Sequence, residues 1–192
     1  MLLTNDQRFL LDILREVRYM RLDQILPLMR LRDPAKAKSH CEAILRYLRY
    51  AGELVPVGDD LVCLAEFRGQ EADPEMLCAL DILLSLAVGP PLQLTSRRPP
   101  YKLCFLLERG RESGKIDAFA VLPVEPGREQ LVSILLAQQS QDVTVLCPCP
   151  IWNSTGFYIS ISGTTSSSGR RVACGSLREV RPANDSRSKR TT

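Results

Sequence analysis

The side chains best suited to chemistry in this 192-residue chain lie between positions 30 and 50. They carry positive charge or donate hydrogen bonds, as do the groups that contact phosphate oxygens and the edges of bases. The candidate DNA contacts are Arg30, Arg32, Lys36, Lys38, Ser39, His40, Arg46 and Tyr47. Lys and Arg pair with guanine, whereas Ser and His suit either bases or phosphates. The segment therefore predicts binding to double-stranded DNA.

A helix over 34–50 is the element predicted to position these groups. Asp33 followed by Pro34 is typical of a helix start, because Asp caps free N–H groups and Pro suits the first helical position. The predicted buried stripe is Ala37, Cys41, Ile44, Leu45 and Leu48. The opposite face then presents Lys36, Ser39, His40, Ala43 and Tyr47, and Lys38, Arg46 and Arg49 flank that face. We expect Gly52 to end the helix in a left-handed conformation.

Two more helices and a hairpin complete the predicted N-terminal domain. The first helix spans about 5–19, with Leu10, Ile13, Leu14 and Val17 on one stripe. The second spans about 22–29, where Pro27 is expected to kink or shorten it. Two short strands, at 53–57 and 61–64, flank the turn Gly58-Asp59-Asp60. This order predicts a winged helix-turn-helix domain over residues 1–66, whose helix 34–50 enters the major groove.

The second half predicts a small α/β domain over 67–178, which makes the fold class α+β. A very apolar helix at 75–88 is the candidate contact between domains or subunits. The other predicted elements are strands at 101–108, 116–124 and 142–147, a helix at 128–139, and a hairpin from 157–161 and 171–174. Residues 182–192 lack apolar side chains apart from Ala183, and residues 179–192 are predicted to form a disordered basic tail.

The order of elements over 101–147 is that of restriction-endonuclease-like nucleases. Those enzymes need two acidic groups and a Lys to hold Mg²⁺ and orient water. Only Glu108 and Asp117 lie near the two hairpin strands, and the second strand has no Glu-x-Lys pattern. The sequence therefore predicts a degenerate fold of this type and a protein that is not an enzyme.

The cysteines give no sign of a metal site or a disulfide framework. There are seven of them, an odd number, and their spacing is scattered. Cys147 and Cys149 are the only close pair, and the chain has a single histidine, which argues against zinc. We expect no metal and no cofactor.

Charge is distributed unevenly along the chain. Residues 1–64 carry 10 Lys or Arg against 9 Asp or Glu, whereas residues 168–192 carry 7 against 2. The predicted DNA-binding domain is thus almost neutral, and the tip of its hairpin is acidic at Asp59 and Asp60. Both features favour an alternative in which the winged helix is an adaptor that binds another protein. The basic tail adds attraction to nucleic acid without sequence preference.

The chain has no apolar run of the roughly 20 residues that span a bilayer. Its start also lacks the basic and apolar regions of a secretory signal. We expect a cytoplasmic protein without a membrane partner.

Several segments resemble a family of uncharacterised bacterial proteins carried on conjugative and other mobile elements. The resemblance lies in 74–80, in 101–107, and in 124–133 with its helix start Pro126-Gly127, and it covers roughly residues 4–176. That family is distantly similar to replication-relaxation proteins, which pair a winged helix with a nuclease-like α/β domain. The extended turn at 109–115 and the longer basic tail depart from the family.

The resemblance implies a DNA-linked role in replication control, in maintenance of a plasmid or mobile element, or in transcription regulation. It supplies no catalytic residues. We expect a homodimer whose two recognition helices meet half-sites about one DNA turn apart. In the adaptor alternative, the partner is a replication or conjugation protein. A metal-dependent nuclease is a third reading, which the missing metal ligands disfavour.

Overall fold

The structure, a computed structural model, describes residues 2–96, 98–108, 114–124, 127, 130, 134 and 143–148, and the backbone of 157–162 and 171–176. Within these residues the protein is a mixed α+β structure with four α-helices and two sheets. The first part runs in the order α1 (Asn5–Val17), β1 (Tyr19–Arg21), α2 (Leu22–Arg32), α3 (Lys38–Tyr50), β2 (Leu54–Val57) and β3 (Leu61–Leu64). Its three strands form an antiparallel sheet in the order β1-β3-β2.

Thr4 is the N-cap of helix α1. The Thr4 hydroxyl accepts from the backbone N–H of Gln7, and the Gln7 side chain accepts from the backbone N–H of Thr4. The predicted stripe of this helix is confirmed, since all four of its residues are buried: Leu10, Ile13, Leu14 and Val17. Strand β1 follows directly and was not predicted, because three residues are too few to show an alternating pattern.

The boundary between α2 and α3 differs from the prediction. Helix α2 continues past Met29 to Arg32, because Leu28 and Met29 are both fully buried and their packing outweighs the hydrogen bond lost at Pro27. Asp33 does not start α3. Its carboxylate accepts from the N–H of Ala35 in a separate turn, and α3 begins only at Lys38.

The start of α3 differs from the prediction, whereas its end does not. Ala37, which was predicted to be buried, is the exposed residue preceding the first turn of the helix. Gly52 ends the helix with a φ of 76°, as predicted. The hairpin of β2 and β3 is also confirmed.

The second sheet has six strands in sequence order: β4 (Gln93–Thr95), β5 (Leu103–Glu108), β6 (Ile116–Val121), β7 (Val143–Pro148), β8 (Phe157–Ser162) and β9 (Arg171–Ser176). The pairing of β6 with β7 is parallel and the other pairings are antiparallel. The predicted hairpins β5–β6 and β8–β9 are confirmed. Strand β4 was not predicted.

A parallel pair needs a crossover connection, and the sequence predicted a helix there at 128–139. Gln130 and Ile134 are helical. The other positions of that helix lie outside the described residues, as do most of the 109–115 turn, the 162–169 loop and the 179–192 tail.

Helix α4 (Pro74–Leu86) joins the first part of the chain to the second sheet. It contacts α1, α2, β1 and β5, and it is capped by the Asp73 carboxylate. A single core cluster runs through it and includes Leu14, Met20, Leu28, Leu48, Leu80, Leu83, Leu103, Phe105 and Val121. The predicted role of this helix was a contact between domains or subunits, and its apolar residues lie between the first part of the chain and the second sheet. The predicted domain boundary at residue 66 stays a prediction.

A polar network on α4 fixes it to the start of α2. One terminal nitrogen of the Arg21 guanidinium lies 2.6 and 2.7 Å from the two carboxylate oxygens of Asp81. The buried Gln24 amide donates to the same carboxylate and to the carbonyl oxygen of Leu77. Because the network joins residues about 60 positions apart, it orients α4 against the N-terminal helices.

Candidate nucleic-acid interface

The surface of α3 is organised by its three buried residues, Cys41, Ile44 and Leu48. An α-helix has 3.6 residues per turn, so the opposite side is a row at spacings of four, seven and eleven residues from its first member. That row consists of Ser39, Ala43, Arg46 and Tyr50, and all four are exposed. Tyr50 is 93% exposed, which is unusual for a large aromatic side chain.

The predicted outward face is rotated relative to this row. Tyr47 is half-buried and packs against the core, because it lies beside Leu48 and one turn from Ile44. Lys36 precedes the helix, and its side chain is only 13% exposed. The expectation that Lys36, His40 and Tyr47 project outward together is therefore wrong. Lys38, Ser39, His40 and Arg46 are exposed on α3, and Arg30 is exposed on α2.

Three of the predicted DNA contacts converge on one carboxylate, Asp6 in the first turn of α1. Its oxygens lie 2.9 Å from the Lys36 ammonium, 3.3 Å from Nε2 of His40 and 3.5 Å from the Arg32 guanidinium. The Lys36 ammonium also lies 3.2 Å from Asp33. Two acidic groups thus balance the charges of Lys36 and Arg32, so this end of the surface offers little net attraction to phosphate.

The Asp6 cluster shifts the pKa values of its members. The hydrogen bond from Lys36 holds the pKa of Asp6 below its ordinary value of 3.8. The hydrogen bonds to Asp6 and Asp33 in turn raise the pKa of Lys36 above its ordinary value. Both shifts favour the charged forms, which indicates that the ion pairs persist at neutral pH.

The Asp6→Asn variant should lose less stability in acid than the wild type. A carboxyl whose pKa is lower in the folded state stabilises the fold fully above its ordinary pKa. That contribution is lost as the pH falls from 3.8 through the lower folded value. Urea unfolding from about pH 6 to about pH 3 measures the difference. The exposed Asp12→Asn is the matched control on the same helix. Equal acid sensitivity of Asp6→Asn and the wild type contradicts the expectation.

Arg46 and Arg49 are the cations of α3 without an acidic partner in the described part of the chain, whereas the Lys38 ammonium lies 4.0 Å from Glu42. Both are exposed, and neither forms an ion pair with another described residue. They line an open groove of about 360 Å³ with Leu22, Glu42 and Leu45. Sequence reasoning placed Arg46 and Arg49 at the flank of the interface and did not consider Glu42 or Tyr50. The buried residues Cys41, Ile44 and Leu48 were predicted, and the positions opposite them at 3.6 residues per turn include Arg46 and Tyr50.

The hairpin between β2 and β3 is hydrogen-bonded to the start of α2. The backbone N–H of Leu22 donates to the carbonyl oxygen of Asp60 at 2.8 Å. The side chains of Asp59, Asp60 and Asp23 are exposed in this region. The tip would therefore repel a phosphate backbone.

The acidic groups of the second sheet do not form a shared metal site. In the β5–β6 hairpin, Glu108 is paired with Ile116, and Asp117 is paired with Leu107. Directly opposed residues share a face of a sheet and successive residues alternate, so Glu108 and Asp117 point to opposite faces. Among the residues that the structure describes, no group of three His, Cys, Asp or Glu side chains is placed to hold a metal ion.

Cys147 lies buried in β7, where burial raises the pKa of its thiol to about 11. A thiol with so high a pKa is protonated at neutral pH, whereas zinc binds the thiolate. Cys149, its predicted neighbour, lies outside the described residues.

Comparisons with known proteins add nothing to these geometric features. No protein-family model, curated protein or solved structure matches the chain. None of the helices in the described part of the chain has the length and apolarity to cross a membrane. The feature that distinguishes the surface is the exposed row of α3, in which Arg46 lies, with Arg49 beside it; neither arginine has an ion-pair partner among the described residues.

Proposed function

We propose that residues 1–66 form a winged-helix domain that binds double-stranded DNA by placing α3 in the major groove. The order of the elements supports this, since α2 and α3 are joined by a short turn and a hairpin follows. The three strands, in the order β1-β3-β2, contact all three helices. The observation that carries the proposal is the exposed row on α3, which includes Arg46 and has Arg49 beside it.

In the proposed complex with DNA, the two halves of α3 have different roles. In helix-turn-helix domains the N-terminal residues of the recognition helix contact base edges. Here that half presents Lys38, Ser39 and Ala43. Arg46 and Arg49 lie one to two turns further on, where they reach phosphates as the helix leaves the groove. The acidic hairpin tip stays clear of the backbone.

The biological role we propose is that of a DNA-binding protein of a mobile genetic element. It would act in replication control, maintenance or transcription regulation, as the resemblance of the sequence implies. Binding as a homodimer would place two copies of α3 on half-sites about one turn apart. In this arrangement the second sheet is available for the other subunit or for a protein partner.

The Arg46→Ala, Arg49→Ala double variant should bind DNA more weakly and with less dependence on salt. Each phosphate contact releases about 0.9 counterions, so removing two should reduce the slope of log K against log salt by about 2. Fluorescence anisotropy of the full chain with a labelled duplex, from low to moderate KCl, gives both quantities.

The matched control is Arg68→Ala, Arg98→Ala, which removes two exposed arginines outside α3 that form no ion pair with a described residue. It should change the slope by less than about 0.5, because neither residue lies on α3. Equal losses in the two double variants would mean that net charge, and not α3, governs binding.

The adaptor alternative is favoured by the Asp6 cluster and the acidic hairpin tip. Asp6 forms ion pairs with Arg32 and Lys36, so the surface is less cationic than the sequence suggests. If the full chain binds no duplex at low salt but binds a replication or conjugation protein through α3, the adaptor function is selected. The Arg46→Ala, Arg49→Ala variant would then weaken the protein complex.

A further inference from the structure

Glu42 is the one carboxylate on α3, and it stands on the surface that would meet DNA. Its side chain is 55% exposed and lies in the groove lined by Arg46 and Arg49. An acidic group at that position would repel a phosphate backbone. Its presence therefore needs a different chemical reason if α3 enters a duplex.

No strong interaction with another described residue accounts for Glu42. The nearest cation is the Lys38 ammonium at 4.0 Å, and both side chains of this pair are largely exposed. An exposed pair of this kind adds little to stability, since solvent screens it. The residue is thus not required by the fold of the described part of the chain.

The position of Glu42 along α3 places it nearer the base edges than the two arginines. It lies one turn before Arg46 and two turns before Arg49, in the half of the helix that enters deepest. Among the bases, cytosine presents an amino group without an adjacent acceptor in the major groove, and Glu accepts from that group. The other bases present at least one acceptor there, which a carboxylate repels.

We propose that Glu42 is a specificity-determining residue that selects cytosine by accepting a hydrogen bond from its N4 amino group. This inference rests on the proposed function and adds to it a base preference. Because Glu42 is exposed and makes no essential contact, it can change without disturbing the fold. The base preferred at one position of the DNA site should therefore change when residue 42 is changed.

The experiment selects bound duplexes from a randomised library with the full chain and with the Glu42→Gln and Glu42→Ala variants. Glutamine pairs with adenine through its amide, so Glu42→Gln should move the preference at one position from cytosine to adenine. Glu42→Ala should leave that position without preference. Anisotropy with the selected duplex should show a loss of about 5- to 10-fold for Glu42→Ala, as expected for one base contact.

Glu71→Gln is the matched control, since it makes the same change at an exposed position outside α3. It should select the wild-type site. The inference is overturned if Glu42→Gln selects the wild-type site, or if it raises affinity for all sequences equally, because Glu42 would then only repel phosphate. It is also overturned if the wild-type protein binds duplexes without preference, which leaves the proposed function intact. Failure of the wild type to bind any duplex at low salt removes both.

Discussion

The Leu80→Ala variant is expected to lose about 3 kcal/mol of its free energy of unfolding. Leu80 is buried in α4 and belongs to the core cluster that α4 shares with the N-terminal helices and the second sheet. Truncating a buried leucine removes its transfer free energy and leaves a cavity, which together cost about 2–5 kcal/mol. Urea unfolding followed by far-UV circular dichroism measures the change.

Leu2→Ala is the matched control, because it makes the same substitution at an almost fully exposed leucine. It should change the free energy of unfolding by less than about 0.5 kcal/mol. If the two variants lose the same stability, α4 does not pack against the N-terminal helices in solution. The alternative role of its apolar face, as a contact between subunits, would then regain support.

The Asp81→Ala variant is expected to lose about 2 kcal/mol of its free energy of unfolding. The substitution leaves the Arg21 guanidinium without its closest partner and one N–H of the buried Gln24 amide without an acceptor. A buried donor without a partner costs about 1–3 kcal/mol. The pair with Arg21 adds less, because the Asp81 side chain is 40% exposed and solvent screens the charges.

Asp23→Ala tests the same arginine from its exposed side. The Asp23 carboxylate lies 3.2 Å from Nε of Arg21, but its side chain is 76% exposed. Its removal should cost less than about 0.5 kcal/mol. Asp81→Asn, which retains an oxygen that can accept from Gln24, should fall between the two alanine variants. A loss for Asp23→Ala as large as that for Asp81→Ala would show that the network does not anchor α4.

The helices and hairpins were predictable wherever a local pattern coincided with burial. The stripe of α1 is confirmed because the same four residues meet the core, and the turn at Gly58 is confirmed because glycine adopts its positive φ there. The β5–β6 and β8–β9 hairpins are confirmed for a related reason, since short connections favour antiparallel neighbours. Strands β1 and β4 were missed because each has only three residues, and their hydrogen bonds come from distant strands.

The candidate interface was predictable in its location but not in its orientation. The cations of 30–49 do lie around α3, as composition alone indicated. Their availability depends on Asp6, which is distant in sequence and reaches Lys36 and Arg32 only when α1 packs beside the turn. No pattern within the helix could have shown that pairing.

The sequence by itself determined the mixed α+β class, the helix stripes and the accumulation of basic side chains near α3. Such features depend on interactions within a few residues, where backbone geometry links spacing directly to a face. Only the tertiary structure decided the start of α3 at Lys38, the burial of α4 and the neutralisation of Lys36. These depend on contacts between residues far apart in the chain, and packing at such contacts outweighs local preferences such as that of Asp33-Pro34 for a helix start.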